Sequence, residues 1–276
     1  MHEIICMLIG RLLLLLVAAY ELIWRLRQRL HALVFWSYDY WRSTAARERA
    51  ERAVLERCRF ECTKLPKHLV LVIAPNEAYV DAVLLTRLFG FALKVGIQHV
   101  SVYDRREQDK GYVDLAAVGE MQADGRFTWP PIKVPKKEEN GYKLNGNGYT
   151  NGGTPHFEQL KLYQIKANDG HALIADVCRE LYQQRKTEFV QNLLQDQRRE
   201  AITEQISEML GKRLGFVVPE PELGLIFARQ TCTYGLLPWH VRFTEFHTHP
   251  SGRYFDVHSF TQLLYKYSRC EQRWGK

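Results

Sequence analysis

An α/β domain with a central, mostly parallel sheet, carried behind an N-terminal membrane helix, is the fold class that three observations predict. First, Ile4–Trp24 is almost wholly apolar, interrupted only by Arg11 and Glu21. Second, from Leu65 onward short runs rich in β-branched residues alternate with longer helical stretches, the pattern of parallel strands joined by crossover helices. Third, the run KKEENGYKLNGNGYTNGGTP over residues 136–155 separates two such blocks without a pattern of its own.

The apolar segment comes first. About 20 helical residues rising about 1.5 Å each match a hydrocarbon layer of about 30 Å. Arg11 is costly near a bilayer centre, yet its stem can snorkel toward one face. A cleaved leader is the rival reading, since Leu12–Val17 followed by Ala18-Ala19 resembles a short signal core. The sequence instead continues apolar and aromatic through Leu33-Val34-Phe35-Trp36, which points to an anchor and leaves the number of spans open; Trp36, Tyr38, Tyr40 and Trp41 suit a membrane interface or, equally, a buried helix face. Arg25, Arg27 and Arg29 follow the span, and the positive-inside rule then puts the body of the chain in the cytosol.

Charge supports the same reading. Of the formal net charge of +7, residues 1–60 supply +4, with ten Arg, no Lys and six acids. Basic charge beside an apolar segment suits anionic lipid headgroups and not nucleic acid. The six cysteines, at 6, 58, 62, 178, 232 and 270, form neither a disulfide framework nor a zinc spacing. They read as reduced thiols in a reducing compartment.

Residues 1–42 therefore form the anchor and juxtamembrane segment, and 43–64 a solvated connector helix whose Arg and Glu alternate behind a Ser43 cap. Residues 65–276 form the domain, interrupted by 136–155, which is too polar and Gly/Asn-rich to offset its ordering entropy. Within the domain His68–Ile73 reads as a buried strand, Asp81–Lys94 as a helix and Gly96–Tyr103 as the next strand. Leu160–Ile165 and Leu223–Ala228 are further strands, with helices over Gly170–Phe189 and Asp196–Leu214. His247 and His249 read as exposed loop residues.

Several stretches carry a family resemblance. Leu65-Pro-Lys-His68 with its following strand resembles the opening of the cis-prenyltransferases, enzymes that condense isopentenyl diphosphate onto an allylic diphosphate. Gly96–Tyr103 is similar to their second strand. Pro221–Gln230, Leu236-Leu-Pro-Trp-His240 and Thr244-Glu-Phe246 resemble the strand and dimer-interface stretches that follow. The end of the chain, Leu237–Glu245 with Tyr267–Lys276, most resembles the non-catalytic subunits of heteromeric cis-prenyltransferases, the Nogo-B receptor type. The resemblance spans about residues 65–276 outside the insertion and implies the cis-prenyltransferase fold, a central mostly parallel sheet flanked by helices.

The departures matter as much as the matches. Ala74 stands where the family has its catalytic Asp, and a methyl group cannot coordinate Mg²⁺. Pro75 removes a Gly and an N–H donor. Asn76 is the one polar match, and Glu77 replaces a phosphate-binding Arg with a charge that repels phosphate. Thr231–Gly235 lacks the family's Arg-rich run. The chain is thus expected to be inactive alone and to activate a catalytic partner subunit, in a heterodimer or higher assembly, through an interface including Leu236, Leu237, Trp239, His240, Arg242, Glu245 and Phe246. The resemblance gives Arg273 and Gly275 the role of completing the partner's isopentenyl diphosphate site. A guanidinium fork and an unobstructed backbone N–H are chemically apt for that role. Mg²⁺ is expected mainly on the partner, and the product implied is a polyprenyl diphosphate precursor of dolichol, used in glycosylation at the endoplasmic reticulum. A membrane receptor or scaffold that keeps the fold only as a frame is the alternative.

Overall fold

The computed structural model describes residues 2–41, 43–115, 127–128, 159–195, 199–214 and 219–271. The expected 136–155 insertion lies outside them. Helix α1 (His2–Trp41) is one unbroken helix of 40 residues, and its stretch Ile5–Arg27 is long and apolar enough to cross a membrane. It is the one such helix among the described residues.

Helix α2 (Thr44–Glu61) starts at Ser43, whose side chain accepts the Ala46 N–H. It corrects the expectation of a solvated connector. Leu55 and Cys58 are fully buried, and Glu51 pairs with Arg87 at 2.9 Å. The alternating charges cover only the outer face; Leu55, Cys58 and Glu51 recur at helical spacing on the inner one.

Strand β1 (His68–Ile73) is buried along its whole length, and helix α3 (Ala82–Val95) follows, capped by Asp81 accepting the Leu84 N–H at 2.8 Å. Strand β2 (His99–Asp104) starts three residues later than its apolar run suggested, because Gly96 takes a left-handed turn at the end of α3 (φ 93°). Strands β3 (Phe127–Thr128) and β4 (Leu160–Ile165) come next. The expected helix over 170–189 is two helices, α4 (His171–Gln183) and α5 (Glu188–Gln195). Thr187 explains the break, since its hydroxyl accepts the Val190 N–H at 3.4 Å and starts the second helix. Helix α6 (Arg199–Leu214), strand β5 (Leu223–Phe227), strand β6 (Glu245–His249) and helix α7 (Val257–Arg269) complete the described elements.

The six strands form one parallel sheet in the order β3-β4-β2-β1-β5-β6. Alternate residues of each strand face opposite sides. Leu69, Leu71, Ile73, Leu223, Leu225 and Phe227 join Leu85, Leu88 and Phe89 of α3 and Phe260 and Leu264 of α7 in the larger core. Each such side chain, fully buried, contributes about 1.5–3 kcal/mol. Val70, Val72, Ala74, Tyr103, Ile165 and Ile226 face a second, smaller core closed by Leu236 and Leu237.

Helix α7 was legible but went unread: Val257, Phe260, Leu263, Leu264 and Tyr267, all buried, follow a helical period after the N-cap Asp256, which accepts the Ser259 N–H at 2.7 Å.

Candidate functional site

In parallel sheets ligand sites form beyond the carboxyl ends of the strands. Here the ends of β1, β5 and β6 open on a cavity of about 570 Å³ whose lining includes Asn76, Glu77, Tyr79, Arg229, Ser251 and Arg253. The sequence-flagged loop Ala74–Glu77 is thus at the place where the fold puts ligands.

Its residues, however, are committed to holding the loop together. Ala74 is fully buried in the smaller core, and its carbonyl accepts the Glu77 N–H at 3.1 Å, closing a turn. Pro75 and Asn76 are exposed at its tip. Glu77 is 7% exposed; its carboxylate accepts the Tyr79 N–H at 2.7 Å and the Ser251 hydroxyl at 3.3 Å. The Glu77 carbonyl accepts from Arg106 Nη1 at 3.1 Å.

Arg106 is itself half of a buried ion pair with Asp104, Nη2 to Oδ2 at 2.7 Å, with side chains 2% and 0% exposed. Asp104 also accepts the backbone N–H groups of Arg106 and Val113, each at 3.0 Å. Sequence reasoning missed this clamp; an acid and an Arg two apart at the end of a buried strand was the available signal.

Two further cations at the mouth also went unread. Arg229 lies 4.6 Å from the Trp24 ring centroid of α1, and Arg253 lies 5.1 Å from that of Tyr79. Both are within a few residues of a strand end, which is where such a site would be sought. Thr231–Gly235 forms a tight turn, left-handed at Tyr234 (φ 52°) and Gly235 (φ 80°), with the Tyr234 carbonyl accepting from the Tyr103 hydroxyl at 2.8 Å.

The cavity's residues do not fit a Mg²⁺–diphosphate centre. Magnesium requires oxygen ligands in near-octahedral array, usually with carboxylates. Glu77 is the one carboxylate among the lining residues, and it is turned to Tyr79 and Ser251. Among the described residues no group of three or more His, Cys, Asp or Glu could hold a metal ion.

No family model matches the chain. It is 26% identical over 221 residues to the human (Homo sapiens) dehydrodolichyl diphosphate synthase complex subunit NUS1, covering 77% of this chain and 68% of the relative. The subunit of the same name from Schizosaccharomyces pombe is 22% identical over 246 residues, covering 88% of this chain and 89% of that one. The chain is similar to these subunits over most of its length. Among solved structures, lavandulyl diphosphate synthase from Lavandula x intermedia, in complex with dimethylallyl diphosphate, aligns with a TM-score of 0.46 at 14% identity over 76% of this chain and 98% of that one.

The expected interface stretch is only partly at the surface. Leu236, Leu237 and His240 are buried within the chain's own fold, and the two leucines close the smaller core. Trp239 donates to Ser207 Oγ at 2.9 Å, and Arg242 pairs with Glu220 at 3.0 Å on the outside. Glu245 and Phe246 are half-buried in β6. Phe246 lies over Gly224, where a Cβ would meet its ring at 2.2 Å. Gly224→Val is expected to displace that ring and lower stability by about 1–3 kcal/mol, read as an earlier urea midpoint. An unchanged midpoint would show that the edge strand yields freely.

His247 and His249 correct the loop assignment: both lie in β6 and are half-buried. The strand was missed because an edge strand with one wet face carries polar residues that mask its period. His247 contacts Glu245 at 2.7 Å, and the His249 Nδ1 lies 2.8 Å from the Ser251 carbonyl. The Cys58 and Cys62 sulfurs lie 3.6 Å apart as free thiols, and burial, with help from Cys62, pushes the Cys58 thiol up to about 12.

Arg273, Trp274 and Gly275 lie outside the described residues. The root of that tail is within them. Thr63 donates its backbone N–H to Ser268 Oγ at 3.0 Å and its hydroxyl to the Ser268 carbonyl at 3.2 Å, and Lys64 donates to the Cys270 carbonyl.

Proposed function

We propose that this chain is the non-catalytic, activating subunit of a heteromeric cis-prenyltransferase that makes a polyprenyl diphosphate for dolichol synthesis and protein glycosylation. The observation that carries the reading is the Ala74–Glu77 loop, which occupies the ligand end of the sheet yet spends its one carboxylate on internal hydrogen bonds. Kinship with dehydrodolichyl diphosphate synthase complex subunits supplies the rest. A catalytic partner binds Mg²⁺ and the allylic primer, docking against the exposed side of 236–246 and neighbouring helices. Arg273 and Gly275 reach the partner's isopentenyl diphosphate site. The apolar helix and the Arg25, Arg27 and Arg29 cluster that follows favour anchorage in the endoplasmic reticulum with the α/β domain in the cytosol.

Co-expression with a candidate catalytic subunit, purification and a prenyl-transfer assay with isopentenyl diphosphate test this. The purified chain alone is expected to be inactive and the complex active. Arg273→Ala should lower the complex's turnover about 10- to 100-fold, the worth of a charge-assisted contact to phosphate, while leaving co-purification intact. Unchanged turnover would remove Arg273 from the site, and turnover by the chain alone would overturn the non-catalytic reading.

A further inference from the structure

We propose that the carboxyl-end rim of the sheet, around Tyr79, Val83, Arg229 and Arg253, is a membrane-contact surface that lies against an anionic lipid leaflet. This goes beyond the assignment of a membrane anchor, because it fixes which face of the α/β domain the anchor turns toward the bilayer.

Two contacts and a cavity between them carry the argument. The Arg229 guanidinium sits over the ring of Trp24, a residue inside the apolar stretch Ile5–Arg27. A second cavity, about 390 Å³, lies between Tyr20, Glu21 and Trp24 of that stretch and Arg229, Thr248 and Pro250 at the ends of β5 and β6. Helix α1 also packs on the short turn Gly252–Tyr254. The domain's strand ends are therefore level with the last turns of the membrane-spanning stretch, and not hung from it by a flexible linker.

The rim then continues away from α1 without a gap. A Cβ on Gly252 would meet Val80 Cγ2 at 2.5 Å and Leu84 Cδ2 at 3.0 Å, so the 252–254 turn is pressed directly on the start of α3. On the outer side of that contact Tyr79 is 51% and Val83 65% exposed, and Arg253 covers the Tyr79 ring. An exposed aromatic and an exposed aliphatic residue flanked by guanidinium groups match the chemistry of a headgroup layer: apolar tips enter the acyl boundary and the cations meet phosphate. Glu77 is hydrogen-bonded inward, Asp81 caps α3 and Glu21 pairs with Arg25 at 2.9 Å, so these three nearby acids have partners of their own.

The test uses the full chain reconstituted in vesicles of phosphatidylcholine, with or without phosphatidylserine. Dansylalanine is incorporated in place of Val83, or of Lys67 before β1 at the opposite end of the sheet, and doxyl-labelled lipid is the quencher. Blue-shifted emission quenched by lipid is expected at 83 and not at 67, stronger with phosphatidylserine. Arg253→Glu should reduce the quenching at 83 several-fold, since one basic residue near an anionic leaflet shifts such an equilibrium about fivefold. Emission at 83 as unquenched as at 67 would overturn the proposal and leave the rim to a protein partner. Equal quenching in both vesicle types, unmoved by Arg253→Glu, would refute the anionic-headgroup part.

Discussion

Replacing Asp104 with alanine is expected to lower the unfolding free energy by about 3–5 kcal/mol. Arg106 is left behind at 2% side-chain exposure with its charge unpaired, and two backbone N–H groups lose their acceptor. Arg106→Ala should cost a similar amount, since it strands the carboxylate and frees the Glu77 carbonyl. Against a typical total of about 5–15 kcal/mol, either change removes a large fraction of stability. The two losses share one interaction, so the double variant should cost clearly less than their sum. Urea unfolding in detergent, followed by tryptophan emission, gives all three values. A single variant within about 1 kcal/mol of the parent, or strictly additive losses, would show that the pair does not clamp the loop.

Acid is expected to unfold the chain in part through His68. Burial, opposed by the Pro219 carbonyl, holds this imidazole down at about 3, against about 6.5 in the unfolded chain. The neutral tautomer donates from Nδ1 to the Pro219 carbonyl at 2.7 Å and accepts at Nε2 from Ser101 at 2.8 Å. Between the two values the unfolded chain binds the extra proton. Stability is therefore full above about pH 6.5 and is lost progressively as pH falls toward 3, by about 2 kcal/mol at pH 5. His68→Gln, which keeps a donor and an acceptor, should shrink the stability difference between pH 7 and pH 5 by about that amount. An unchanged difference would place the acid sensitivity elsewhere, for instance at the buried His240, which burial also holds low.

Much of the sheet was legible because its central strands are buried on both faces and read as continuous apolar runs: His68–Ile73 and Leu160–Ile165 emerged with the expected bounds. What escaped was structure whose cause lies across the fold. The β6 edge strand takes its pairing from β5 and not from its own composition. Helix α2 looked solvated because its charges dominate the count, while the few residues that matter face α3 and α7. At the candidate site, the poverty of the Ala74–Glu77 loop could be read from residue types alone. That Glu77 folds inward could not, because its partners Ser251 and Arg106 are brought to it by other strands.

The fastening of α7 to the residues ahead of β1 sets a length scale for the proposed shared site. With Ser268 and Cys270 held by Thr63 and Lys64, the reach of the tail is counted from the end of α7, and even a fully extended chain gains at most about 3.3–3.6 Å per residue. The Cα of Arg273 can therefore stand no more than about 7 Å from that of Glu271, and Gly275 no more than about 14 Å. A partner whose diphosphate pocket is to be completed by this chain must bring its mouth that close to the end of α7. Lengthening the tether between Glu271 and Arg273 by a few glycines would relax that requirement, while deleting Gln272, the one residue between them, would tighten it.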